Sequence, residues 1–271
     1  MSTFLYVEAD SPVHRLHPVT RIVGLLLLFV PPMAFNDPRW VAPTMGLALA
    51  VLYLARSGQN LVRMWKFCLV IFLASAAMWA LFLKDDRPHV EKALEPFLVE
   101  QWPVAISVNT IGFGLAMGAR ILAFLIAGLA FIGTTKPEEL TAGLRALRLP
   151  QGLCLAISLS FRLVPTFAAT GATVAQAQMA RGLDVTSGSL WQRLRKYVPL
   201  LTPVLAYALR NADSLSMALE SKGWASHRPR SQYLHFTTTS ADLVALVLLA
   251  AIATGSIVLR LSGYGELLPR L

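Results

Sequence analysis

The sequence predicts an all-α, polytopic membrane protein, with about five transmembrane helices and a cytoplasmic module of two long helices set before the last span. Three observations carry that expectation. Of the 271 residues, 55% are apolar and only 14% charged, against roughly 25% charged in an ordinary soluble domain. The mean hydropathy is +0.57, and the apolar residues stand in long uninterrupted runs, which makes lipid their solvent. The basic residues behind the net charge of +9 gather between those runs, where the positive-inside rule puts cytoplasmic loops. That placement sets nucleic acid aside as a partner and makes the lipid bilayer the expected one.

The first span is read from Arg21 to Phe35. Arg15 and Arg21 precede its apolar stretch, and no small-residue cleavage site follows, so it reads as a retained span rather than a signal peptide. Pro31 and Pro32 lie near its far end, and Asn36-Asp37-Pro38 makes a tight turn. Further spans run from Trp40 to Ala55, Phe67 to Leu83, Val104 to Ile132 and Ala241 to Leu259. Arg56, Arg63 and Lys66 crowd the connection between spans two and three. The next connection carries Asp85, Asp86, Glu91, Glu95 and Glu100 against Lys84, Arg87 and Lys92. The first of these loops is therefore cytoplasmic and the second external, which puts the N-terminus inside. Residues 136–230, with twelve Lys and Arg against five acids, are then cytoplasmic too, and the last span leaves the C-terminus outside.

Three parts follow from this order: a four-span membrane region (1–135), a cytoplasmic region (136–230), and a C-terminal span with its tail (231–271). Within the middle part, Thr135-Lys136-Pro137-Glu138 has capping-box spacing with Pro in the first turn. Leu140, Leu144 and Leu147 recur at helical spacing with Arg145 and Arg148 between them. This predicts a short amphipathic helix at the membrane surface, ending at Leu149-Pro150. Two longer helices follow, about Gly152 to Gly182 and Leu190 to Gly223. Leu153 to Ala175 is apolar enough to score as a span, interrupted only by Arg162 and Pro165, and loop charges do not exclude a crossing. Both helices are expected against the inner face of the membrane, because each ends in a polar, basic turn closed by glycine.

Those two ends are the most informative residues in the chain. One reads Ala180-Arg181-Gly182-Leu183, the other Ser221-Lys222-Gly223-Trp224. Glycine accepts the left-handed conformation just past a helix end, and a cation there complements the helix dipole. The small residue before the cation admits a close neighbour, and the apolar residue after the glycine packs back or docks. Either end alone is ordinary capping. Two such ends in one cytoplasmic region point to two equivalent contacts.

Other residues carry less. Arg120 falls mid-span, where an ionisable side chain is costly and needs a partner; a backbone carbonyl or a helix of the same bundle is the plain expectation. Gly114 and Gly118 make a small-residue packing face. Arg162, ahead of Pro165, fits a helix elbow or an arginine snorkelling to the interface. Cys68 and Cys154 sit in apolar stretches and read as buried and reduced. The histidines (His14, His17, His89, His227, His235) lack the helical pairing of a metal site, and no metal is expected.

Taken in order, these segments resemble the transmembrane T component of energy-coupling factor transporters, the CbiQ/EcfT family. The resemblance rests on Ser11 to Arg21, on Gly133-Thr134-Thr135-Lys136-Pro137-Glu138-Glu139-Leu140, on Ser160-Phe161-Arg162-Leu163-Val164-Pro165, and on the Ala180-Arg181-Gly182 signature. It covers the chain from about Ser11 to Leu259. Lys222 departs from it, standing where the family has arginine, and so loses the planar fork that grips a carboxylate.

The resemblance implies a non-catalytic subunit whose cytoplasmic coupling module docks its two helix ends into two ABC-type ATPase subunits. Its membrane side would cradle a small substrate-binding (S) subunit for vitamin or metal-ion uptake. Ala180, Arg181, Gly182, Ser221, Lys222 and Gly223 would make the ATPase contacts, with Arg162, Pro165 and Arg120 in structural or coupling roles. It implies no cofactor of the chain's own, ATP being bound by the partners, and a multi-pass place in the cell inner membrane. Two rival readings would need other residues. A conventional ABC-importer permease would carry a Glu-Ala-Ala loop, which Glu138 to Gly143 resembles only loosely. A membrane enzyme would need facing carboxylates or histidines within the spans, and only Arg120, with Arg21 and Asp242 at span edges, is ionisable there.

Overall fold

The computed structural model describes residues 11–82, 97–101, 104–183, 189–224 and 236–265. The acidic loop expected on the external side, along with His89, His227 and His235, lies largely or wholly outside them. The described elements are α1 (Pro18–Ala34), α2 (Pro38–Leu54), α3 (Gly58–Phe82), β1 (Phe97–Gln101), β2 (Val104–Ser107), α4 (Val108–Thr134), α5 (Pro137–Ala146), α6 (Gln151–Ala180), α7 (Leu190–Ser221) and α8 (Ser240–Leu261). Among the described residues the protein is thus all-helical apart from one antiparallel hairpin, in which Val99 pairs with Ile106 and Glu100 with Ala105. That hairpin takes Val104–Ser107, so the fourth span begins at Val108 rather than Val104.

Two compact units divide the chain: Met1–Arg148 with Phe236–Leu271, and Leu149–His235. In the first unit α4 is the central helix, packing on α1, α2 and α3. Its apolar core joins Ala48 and Leu52 of α2 and Cys68 of α3 to Ala123, Ile126, Leu129 and Ala130. Gly118 lets α3 close in, since a Cβ there would stand 3.0 Å from the Phe72 carbonyl and 3.2 Å from the Ala76 methyl. The small-residue face of the fourth span is therefore used inside the bundle. α5 belongs by its contacts to this unit and not to the segment after it. It lies on α1, with Gly143 against Pro18 and Ile22.

Its cap also shifts by one residue from the expected Thr135–Glu138 box. Lys136 is the N-cap and its backbone N–H donates to Glu139 Oε2 at 3.3 Å. Lysine has no acceptor to complete the box, and Thr135 is buried.

The second unit is α6 and α7, packed along part of their length, where Phe167 meets Tyr207 edge-on with ring centroids 6.3 Å apart. α6 runs unbroken through Pro165, and α7 through Pro199 and Pro203. Four hydroxyls on α6 (Ser160, Thr166, Thr170, Thr173) donate back to carbonyls one turn earlier. They satisfy themselves inside the helix, so its exposed surface demands few outside partners. α3, α4, α6 and α8 each have the length and apolar composition to cross a membrane, while α1 is apolar but shorter. Those properties do not separate α6 from the spans.

Candidate functional site

The two helix ends singled out in the sequence close in the same way. At the end of α6, Gly182 has φ +88°. Its N–H donates to the Met179 carbonyl at 2.9 Å, and the Leu183 N–H to the Gln178 carbonyl at 3.0 Å. At the end of α7, Gly223 has φ +72°. Its N–H donates to Glu220 at 2.8 Å, and that of Trp224 to Leu219 at 2.9 Å. Both are Schellman ends, with the 6→1 and 5→2 bonds that pattern requires. Arg181 and Lys222 hold the same C-cap position, and both are exposed. Ala180 and Ser221 are the last helical residues, and the Ser221 hydroxyl is turned onto the Ala218 carbonyl at 2.9 Å. Added at Gly182, a Cβ would meet nothing within 4 Å, so that glycine is needed for its backbone angle and not for room.

Each end therefore offers a cation beside the negative pole of a helix, with a large apolar residue just past the glycine. Such a surface suits a recess that carries acidic side chains. Arg162 is exposed on α6, and its backbone carbonyl accepts the Thr166 hydroxyl.

In the first unit the sequence reading passes over a hub that the fold assembles. Arg21, only 7% exposed, donates from Nη1 to the Thr134 carbonyl at 2.7 Å and to Glu139 Oε2 at 2.6 Å. Its Nε donates to the Leu16 carbonyl at 3.0 Å, and Nη2 to the His14 carbonyl. One guanidinium thus joins the N-terminal segment, the end of α4 and the first turn of α5. Asp242, in the first turn of α8, accepts the backbone N–H groups of His17 and Thr239, each at 2.7 Å. Gly133 approaches the α2–α3 connection so closely that a Cβ there would lie 2.5 Å from Ser57 Oγ. Arg21 and Asp242 read from the sequence as span-edge charges; the fold sets each near the start of its helix, and the His17 amide joins the two segments.

Arg120 takes the plain role. Its Nε donates to Pro32 O at 2.8 Å, and Nη2 to Phe35 O at 2.6 Å and Asn36 Oδ1 at 2.8 Å. These acceptors are at the end of α1, where the last carbonyls lack helical partners. Among the described residues no group of three or more His, Cys, Asp or Glu is placed to hold a metal ion.

Fold and helix ends together define a multi-pass helical membrane protein with a separate helical unit ending in two matching basic caps. The chain belongs to the CbiQ family, described as cobalt transport protein, whose pattern it matches over residues 9–234. It is 30% identical to the energy-coupling factor transporter transmembrane protein EcfT of Thermosediminibacter oceani, over 94% of this chain and 96% of that one. To the protein of the same name from Bacillus subtilis it is 27% identical, covering 91% and 94%. It is also 29% identical to a putative ABC transporter ATP-binding protein of Bifidobacterium longum, over 87% of this chain but 30% of that longer protein.

Proposed function

We propose that this chain is the transmembrane coupling (T) component of an ECF-type importer. It passes the ATP-driven motion of two ABC-type ATPases to a small membrane-embedded S subunit that takes up a vitamin or metal ion. The observation that carries the reading is the pair of Schellman ends with Arg181 and Lys222 at equivalent positions. Two matching plugs suit two similar recesses. Family membership and the EcfT relatives support it. So does a similar stretch within a protein named for ATP binding.

On this reading the chain is non-catalytic and holds no cofactor, ATP being bound by its partners. The cytoplasmic α6–α7 unit, Leu149–His235, docks the ATPases through Ala180, Arg181, Gly182, Ser221, Lys222 and Gly223. The S subunit rests on the apolar, self-satisfied surface of α6 and its neighbour. The chain sits in the cell inner membrane with its N-terminus cytoplasmic, a placement supported by the loop charges.

The test is co-purification from membranes of tagged wild type and the double variant Arg181→Glu, Lys222→Glu, with candidate ABC ATPases co-expressed. Wild type should retain the ATPases and the double variant, still membrane-inserted, should lose them. Retention after double charge reversal, or no association with wild type, would return the two ends to ordinary caps.

A further inference from the structure

α5 is a helix of ten residues, too short to be stable alone. Its buried residues are Thr141 and Gly143, and α1 is the element it packs on. Gly143 seats it there, because a Cβ at that point would come within 2.9 Å of Ile22 and 3.1 Å of Pro18. The polar tie is Arg21 to Glu139 at 2.6 Å, with the Arg21 side chain 4% and that of Glu139 22% exposed. The same guanidinium holds the Thr134, Leu16 and His14 carbonyls. Two residues past the end of α5 comes Arg148, a non-glycine residue at φ +64°, and the division between the two units falls at Arg148/Leu149. The chain therefore leaves the first unit through a helix that one buried arginine pins in place.

From this geometry we infer that Arg21 is a positioning residue for coupling. Through Glu139 it makes α5 part of the membrane frame, so that displacement of the α6–α7 unit is delivered to the frame and not absorbed by α5 swinging free. The inference rests on the coupling function proposed above. Lysine cannot replace Arg21, since one ammonium has three donors and no planar fork to span acceptors from three segments. The buried pair serves placement more than stability, the role in which buried ion pairs are best attested.

The test compares wild type with Arg21→Lys and Glu139→Gln by hydrogen exchange, first on the full chain in detergent. Amides of residues 137–146 should exchange about tenfold faster in both variants, while those of α6 stay unchanged. In the complex co-purified with its ATPases, ATP plus vanadate should alter exchange in α6 and α7 of all three proteins. Only in wild type should the change extend to α5 and α1. A nucleotide effect that reaches α1 equally in the variants overturns the positioning role, and so does α5 exchange that the substitutions leave unmoved. If no ATPase co-purifies with wild type, the coupling function fails, and the pinning of α5 by Arg21 stands or falls on the exchange of α5 alone.

Discussion

Single residues show most clearly how neighbours, and not residue type, set a side chain's worth. Gly128 and Gly133 lie on the same helix, yet a Cβ at Gly128 meets nothing within 4 Å while one at Gly133 meets Ser57 Oγ at 2.5 Å. Gly133→Ala is therefore expected to destabilise by about 1–3 kcal/mol through overpacking. Gly128→Ala should be neutral or stabilise by up to about 1 kcal/mol, from helix propensity. Thermal unfolding in detergent, read by tryptophan fluorescence, separates the two; equal midpoints would refute the close approach at Ser57. Arg120 makes a parallel case. Arg120→Met leaves the Pro32 and Phe35 carbonyls without their donor, a loss on the order of 2–4 kcal/mol. The same unfolding assay should show a lower midpoint, with ATPase retention unchanged in protein that still folds, because the docking ends lie in the other unit. At the helix ends, Lys222→Arg should strengthen ATPase retention in high-salt washes and Arg181→Lys weaken it, since only the guanidinium forks onto a carboxylate. Indifference to both exchanges would mean that charge alone matters there.

At the scale of elements, the two Schellman ends and the pinned α5 are the features that the proposed coupling calls on. Leu183 and Trp224 each donate across the end of their helix to a carbonyl five residues back, a bond that depends on the left-handed glycine between. Replacing Gly182 by Val forces a β-branched residue to φ +88°, where such a side chain is a steric outlier. The expected result is fraying of the last turn of α6, read as faster exchange at the Leu183 amide, together with reduced ATPase retention. Fraying without loss of retention would place the contact elsewhere. α1 shows an element sized by its partners. The steps from Arg21 to Phe35 equal those from Arg120 to Thr134, so the two arginines tie α1 to α4 at levels about 21 Å apart at a rise of about 1.5 Å per residue. A helix this short does not cross an apolar layer of about 30 Å unaided. Its far end is closed instead by Arg120, by Arg260 on the Met33 carbonyl, and by the Gly265 carbonyl on the Asn36 amide.

For the whole molecule, the proposed orientation makes a direct prediction about sidedness. Cys68 and Cys154 are buried, so single cysteines can be introduced elsewhere with little background. A cysteine at Arg56 or Arg148 should react with an impermeant thiol reagent only in inverted vesicles, and one at Ser262 only in right-side-out cells. Labelling of Arg148→Cys from outside would reverse the topology and, with it, access of cytoplasmic ATPases to α6 and α7.

Sequence by itself determined the solvent of this protein, its all-helical class and the two capped ends, because each rests on local chemistry. An apolar run needs lipid, and a glycine after a cation at the close of a helical pattern needs the left-handed turn it adopts. It also carried the motifs around Arg21 and Glu139, but as separate stretches. Tertiary structure alone decided that these stretches meet. Arg21 and Glu139 stand far apart in the chain, and only the antiparallel packing of α1 on α4 brings the start of one helix to the end of the other. The same holds for α5, which its amphipathic pattern left free on the membrane surface and which Gly143 seats on α1. Burial of a charge is a property of what surrounds it, and Arg21 is enclosed only when the end of α4 and the start of α5 join the segment just before it.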